Sequence, residues 1–505
     1  EYPFWIALKG DRKAYVSSQR DHEVVVLELS GPVPAVVGRI PVGSQPNKLL
    51  LNRAQTHLYV ANGNSDTVSV IDTATDKVLE EIDTTAPPEL WPNRQGLKGS
   101  NPNSLVLSPD ERFLYVTNGG TNAVAVIRLG SAPADGPSQV IGLLPTGWYP
   151  NAVSLSQDGS WLYVVNGKSN AGPNPGACRD TLSIAPEALD ACRGKNQYVW
   201  QLTKAGLLSL PLPSAASLAK LTWQVAVNNY FPSARRHQAD AALMAFVRDR
   251  IKHVIYIVKE NRSYDQILGD LEVGNGAPNL TLFPEPITPN HHALARHFVT
   301  LDHFFDSGEV SGDGWNWSTA ARTTDVTEKM VSLVYAGRGL TYDVEGTNRN
   351  INVGLATVEA RKAANPQTPD DPDLLPGTAA VAAPDGPAQE AGTGYLWDAA
   401  LRKGLTVRNY GFFGDLARYA PTHPAFIPVV HQPFVAGQVQ FFPTKPALHS
   451  ISAPYFRGYD QKNADFWLCK EWEREFEGYV RNGNLPALQL VRLPHDHFGD
   501  FQEAI

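Results

Sequence analysis

Apolar residues in the first 230 positions fall in short runs closed by a small polar residue. Ala14-Tyr-Val-Ser17, Leu58-Tyr-Val-Ala-Asn62, Leu114-Tyr-Val-Thr-Asn118 and Leu162-Tyr-Val-Val-Asn166 recur along the chain. Turn signals and a short strand precede them, as in Leu105-Val-Leu-Ser-Pro-Asp110, and a second strand often follows, as in Thr67–Asp72 and Ala123–Ile127. In Thr67–Asp72, strict alternation puts Val68 and Val70 on one face and Thr67, Ser69 and Ile71 on the other. Strand–turn–strand units repeating about every 40–50 residues predict the blades of an all-β propeller. The Asn closing each run is expected to bond its own backbone and close the turn. Four blades are legible. A weaker fifth unit spans Asn196–Leu202 and Gly206–Leu210; that segment, with Leu218–Asn229, is alternatively readable as helical linker. Residues 2–8 align with an inner strand, so the propeller is expected to lack an upstream part.

The pattern changes after residue 230. Residues 231–250 read as a charged helical connector. From residue 251, apolar strands alternate with helical stretches: Val254–Val258, Thr406–Gly411 and Ala487–Leu493 as strands, Leu396–Lys403 and Trp467–Val480 as helices. This alternation predicts an α/β layer fold with a largely parallel sheet. The expected organisation is therefore a propeller over 1–230, a linker over 231–250 and an α/β sandwich over 251–505. The Pro/Asp/Gly-rich stretch Asn365–Pro387 reads as a surface excursion at the rim of the site.

Composition narrows the function classes. With 505 residues the chain is too long for one ordinary core. A net charge of −8 without any basic run argues against a nucleic-acid partner. No apolar stretch reaches the ~18–20 residues of a membrane span, so no stable membrane insertion is expected. Of the three cysteines, Cys178 and Cys192 share one loop-like stretch. A local disulfide there fits an exported, periplasmic or secreted protein; the alternative is two unpaired cytosolic thiols. Cys469 is expected to be a packed small hydrophobe.

Candidate chemistry lies in the second half. The run His253–Val258 reads as a buried strand ending in Glu260 and Asn261. Oxygen donors at a strand's carboxyl end suit a hard divalent cation. Asp302-His-Phe-Phe-Asp-Ser-Gly-Glu-Val-Ser-Gly-Asp-Gly-Trp-Asn-Trp317 reads as a strand over Thr300–Phe305, a Gly-rich turn, and a helix starting near Asp313–Asn316. Ser311 would stand just before that helix's N-terminus, where free N–H groups favour phosphate; the plainer reading of Ser311 is a helix cap. Leu493-Pro-His-Asp-His497 directly follows a strand, placing Asp496 and His497 where they can bind metal or steer phosphate oxygens. His291 and His292 are expected to cap a helix running through His297, and His303 to lie within a strand.

These motifs carry two resemblances. The Tyr-Val-x-Asn runs resemble the YVTN propeller repeat family. The Glu260-Asn261 strand, the Glu309-Val-Ser311 block and the Leu493–His497 block resemble the phosphoesterase family of phospholipase C-like enzymes and acid phosphatases, within the alkaline-phosphatase superfamily. The second resemblance implies a metal-dependent hydrolase of small-molecule or lipid phosphate esters. It implies Ser311 as nucleophile, with Ser307 as runner-up, and His497 as the group that orients or protonates oxygens. It also implies Glu260, Asn261 and Asp496 as ligands of a divalent ion: Ca, Mg, Mn, Zn or Fe. The chain departs from the family at His495 and Phe498, where Asn and Thr are usual. It also lacks the family's later acidic block, so both ends read as unfinished. Either the residues belong to a longer polypeptide, which is the preferred reading, or the chain is a degraded relative. The competing function is a non-catalytic propeller binding protein with a vestigial phosphoesterase domain.

Overall fold

A computed structural model describes residues 3–19, 21–91, 99–130, 136–168, 204–231, 238–304, 307–329, 363, 394–415, 428–443 and 445–497. The chain divides into two compact units, Glu1–Met244 with 309–344 and 355–396, and Ala245–Gly308 with 345–354 and Trp397–Ile505. This division differs from a single boundary at residue 251. The stretch beginning at Glu309 packs with the propeller strands and not with the strands on either side of it in sequence.

Unit 1 is built of consecutive antiparallel sheets, the expected all-β propeller-like architecture. The first holds β1 (Pro3–Lys9), β2 (Lys13–Ser18), β3 (Glu23–Glu28) and β4 (Ala35–Pro41). The second holds β5 (Pro46–Leu51), β6 (His57–Asn62), β7 (Thr67–Asp72) and β8 (Lys77–Asp83). The third holds β9 (Pro102–Leu107), β10 (Phe113–Asn118), β11 (Ala123–Arg128) and β12 (Gln139–Pro145). The fourth holds β13 (Pro150–Leu155), β14 (Trp161–Asn166) and β15 (Gly206–Pro211). Thus Gly206–Leu210 completes the fourth blade and does not open a fifth; residues 196–202 lie outside the described residues.

Strand alternation explains how the blades stack. On β6, Leu58 and Val60 enter a core shared with Tyr15, Val24 and Val26 of the first blade. Their neighbours Tyr59 and Ala61 enter a core shared with Leu114 and Val116 of the third. Tyr115, Val124 and Val126 in turn meet Leu162 and Val164 of the fourth. Each inner blade buries both faces, so its central strands are apolar at nearly every position. On β14, Trp161, Tyr163 and Val165 form an exposed face. Helix α1 (Ala215–Asn228), the helical alternative for that stretch, lies on β12, with its Thr222 hydroxyl accepting from Leu143 N at 2.9 Å. A second helix, α2 (Gln238–Arg250), matches the expected connector.

The closing Asn residues do not act as expected. Asn62 Nδ2 donates to Thr67 Oγ1 at 3.0 Å and Ser69 Oγ at 2.8 Å, across the hairpin. Asn118 Nδ2 reaches Thr84 O of the preceding blade at 2.8 Å. The amide staples strands and blades, which a single-repeat reading cannot show.

Unit 2 is α/β. It contains β16 (Val254–Lys259), α3 (Tyr264–Leu268), α4 (Pro289–His297), β17 (Val407–Tyr410), β18 (Gly414–Asp415), α7 (Pro433–Ala436), β19 (Phe442–Pro443), α8 (Asp465–Asn482) and β20 (Leu488–Leu493). Between α4 and α7 in sequence, α5 (Ser311–Ala320) belongs to unit 1, and α6 (Leu396–Arg402) spans the division at residue 396. The main sheet has order β16-β20-β17, with both pairings parallel. Its core joins Tyr410, Ala453, Phe456, Leu468 and Val491. Helix α8 is tied to the sheet through Arg408–Glu475 at 2.6 Å and Tyr410 OH to Glu475 at 2.9 Å.

The structure departs from several sequence expectations. Val254, Ile255 and Ile257 are exposed, because β16 is an outer strand of the described sheet. Residues 300–304 form a loop with a turn, not a strand; apolar side chains there face solvent, so no sheet face selects an extended register. Cys469 is exposed on α8, since the buried stripe of that helix runs through Leu468 and Glu471. The Cys178–Cys192 pair and the Asn365–Pro387 excursion lie outside the described residues.

Candidate functional site

The parallel register of β16 and β20 sets the geometry of the first candidate site. Lys259 pairs with Leu493, so the chain leaves both strands at the same edge. Glu260-Asn261 and Pro494–His497, more than two hundred residues apart in sequence, therefore stand side by side. Glu260 N donates to Leu493 O at 3.0 Å. The buried Arg492 donates to Glu260 Oε1 at 2.7 Å, and its guanidinium lies 4.9 Å from the Tyr459 ring centre. Arg262 Nε donates to Asp496 Oδ1 at 3.2 Å. Lys259 Nζ donates to Asp465 Oδ2 at 3.2 Å, and His495 N donates to Asp465 Oδ1 at 3.0 Å.

His497 is oriented by Gln461. The Gln461 amide faces His497 Nδ1 at 3.2 Å and donates to the His497 carbonyl at 3.1 Å. An NH₂ group only donates, so Nδ1 accepts and Nε2 carries the proton in the neutral ring. His291 belongs to the same edge. Burial lowers its pKa, as does Lys259, while the charge of Asp496 opposes them. His291 and His292 lie inside α4 and do not cap it. Pro289 takes the first helical position, and His292 bonds Asp270 at 3.0 Å.

Glu260 and Asp496 each carry a guanidinium, and Asn261 is exposed. Among the described residues, no group of three or more His, Cys, Asp or Glu is placed to hold one metal ion. As arranged, Glu260, Asn261 and Asp496 share an edge but do not form a cage.

Ser311 lies in unit 1, whereas Glu260, Asn261, Asp496, His497 and the runner-up Ser307 lie in unit 2. Ser311 is the first residue of α5, earlier than the sequence placed the helix start. The reason is Asp313. Its buried carboxylate accepts from Glu309 N at 2.9 Å and Val310 N at 3.0 Å, closing the turn ahead of the serine.

The sequence reading missed a second polar centre, within unit 1. Asp325 is fully buried at the ends of the inner blade strands. It accepts from Asn47 Nδ2 at 3.1 Å, Asn103 Nδ2 at 3.0 Å, Tyr149 OH at 2.9 Å and Lys329 Nζ at 2.8 Å. Burial, followed by the charge of Asp325, raises the Tyr149 pKa well above its ordinary value and keeps it a donor. The recurring pairs Pro46-Asn47, Pro102-Asn103 and Pro150-Asn151 were the available signal, one at the start of each inner strand. The carboxylate partner of Asn47 and Asn103 lies far along the chain and has no repeat to mark it.

Residues 41–172 match the family model described as lactonase, 7-bladed β-propeller. Among curated proteins, none matches the chain. Among solved structures, the chain is similar to hydrazine synthase of Kuenenia stuttgartiensis, at 26% identity over 34% of this chain and 43% of that one, TM-score 0.28. It is also similar to the periplasmic gluconolactonase of Pseudomonas aeruginosa, at 21% identity over 32% of this chain and 50% of that one, TM-score 0.27. The chain thus spans half or less of the length of these structures. The N-terminal unit contains an all-β, propeller-like domain of antiparallel sheets, and the family model matches its residues 41–172.

Proposed function

We propose that this chain is a phosphoesterase acting on a small-molecule or lipid phosphate ester. The observation that carries this reading is the convergence of Glu260-Asn261-Arg262 with Asp496-His497 on one strand edge. Ligands of open α/β sheets bind at such edges. The nucleophile that the phosphoesterase resemblance implies is Ser311: its Oγ attacks phosphorus, the ester P–O bond breaks, and the alcohol leaves with the serine's proton. Water then cleaves the phosphoseryl ester. The Nε2–H of His497 donates to a phosphate oxygen or the leaving group. A divalent ion at Glu260 and Asp496 would have to displace Arg492 and Arg262, so the residues as arranged do not fit one. An exported location accompanies this proposal. Among the described residues, no helix is long and apolar enough to cross a membrane.

The test is hydrolysis of nitrophenyl mono- and diesters, with Ca²⁺, Mg²⁺, Mn²⁺, Zn²⁺ or Fe²⁺ supplied in turn. Wild type should turn over at least one ester, and Ser311→Ala should lose about a thousandfold or more. His497→Gln should lose about a hundredfold. Full turnover by Ser311→Ala would remove Ser311 as nucleophile, and no turnover by wild type would remove the enzyme. One observation favours a second reading, a non-catalytic binding protein: Glu260, Asp496 and Asp465 are all engaged by cations. Heat of phosphate-ester binding without turnover would select it.

A further inference from the structure

Helix α5 is held from both sides by the propeller blades. Ahead of it, Glu309 Oε1 lies 2.8 Å from Lys168 Nζ, just past β14 of the fourth blade. Behind it, Glu328 Oε2 meets the same ammonium at 2.5 Å. Lys168 is 5% exposed and lies against the Trp148 and Tyr149 rings, at 5.3 and 5.7 Å. The two carboxylates offset its burial, and Trp317 Nε1 of α5 donates to Glu328 at 3.1 Å. One lysine of the propeller therefore clamps the entry to the helix, the helix itself and the segment beyond it.

Asp325 is the second fastening. Its carboxylate takes hydrogen bonds from the second, third and fourth blades. Next to it, Asn101 Nδ2 donates to Thr323 O at 3.1 Å. Such buried, charge-assisted contacts fix geometry, and removing one partner leaves an uncompensated charge. By contrast, α5 has no wide apolar stripe to dock it by itself; its composition is Ser-Gly-Asp-Gly-Trp-Asn-Trp-Ser-Thr-Ala.

We propose that Lys168 and Asp325 are positioning residues of the propeller that fix α5, and with it the Ser311 hydroxyl. The role of Ser311 rests on the phosphoesterase reading; the anchoring of the helix does not. The propeller blades then supply the rigid base for Ser311.

The experiment is hydrogen exchange on the full chain, paired with steady-state kinetics on whichever nitrophenyl ester the wild type hydrolyses. In Lys168→Met, amides of residues 311–320 should exchange about tenfold faster or more, while the strands of the blades keep their protection. The kcat should fall about tenfold with KM within about twofold, the pattern of a displaced nucleophile. Lys168→Arg should restore most of both. If Lys168→Met melts the blades, Tyr149→Phe carries the test: it removes one donor from Asp325 and should raise exchange of 311–320 about threefold. Unchanged exchange over 311–320 in the folded variants overturns the proposal. If wild type hydrolyses no ester, the phosphoesterase reading fails, and the exchange data alone decide the anchoring.

Discussion

At the residue scale, Asp313 is the most informative titratable group. Its pKa is pushed up to about 7, first by burial, with the charge of Glu328 adding to the rise. The N–H groups of Glu309 and Val310 and the charge of Lys168 oppose it. The folded value lies above the ordinary carboxylate value of about 3.9. Its contribution to stability is therefore fully present below about pH 4 and is lost as pH rises through about 7. Asp313→Asn keeps an acceptor for one of the two N–H groups, which bond different oxygens of Asp313, and cannot ionise. The wild type should lose urea stability relative to this variant between pH 5 and pH 8. Equal midpoint differences at the two pH values would show that Asp313 does not titrate there. The residue scale also shows how little a motif says about partners. The Glu309-Val-Ser311 block is legible in the sequence, but Lys168, which holds Glu309, sits in a blade some 140 residues earlier.

At the element scale, the blade strands were legible because a local pattern sets them. Thr67–Asp72 forms a strand with the bounds that its alternation gives. Residues 300–304 failed because a short apolar run forms a strand only if a sheet edge receives it. The seat of α1 on β12 was not legible at all. It depends on Gly142, where an added Cβ would stand 2.5 Å from Leu218 Cγ. Gly142→Ala should destabilise unit 1 by about 1–3 kcal/mol. Leu218→Ala opens space at the same contact, so the double variant should be more stable than the sum of the single effects by about 0.5 kcal/mol or more. Strict additivity in chemical denaturation would show that α1 does not press on Gly142.

At the scale of the whole molecule, two units with separate cores predict more than one unfolding step. Calorimetry should give a measured enthalpy larger than the van't Hoff enthalpy of its main transition. A single transition with equal enthalpies would mean that the units melt as one. Lys168→Met should lower only the transition that carries the blades, because both partners of Lys168 belong to unit 1.

The sequence by itself determined what depends on near neighbours: the repeated strands of the blades, the strand–helix alternation after residue 251, and the polar residues that end β16 and β20. Hydrophobic periodicity and turn residues act over a few positions, so one chain suffices to read them. Only the tertiary structure decided which of those polar residues meet. The parallel register of β16 and β20 brought Glu260 beside the Leu493–His497 block, and placed Arg492 and Arg262 on the two carboxylates. Packing likewise assigned α5 to the propeller unit, through a buried lysine and a buried aspartate that no local pattern marks. Burial and pairing of charge depend on what the rest of the chain places around a side chain, and that information is not stored within its own segment.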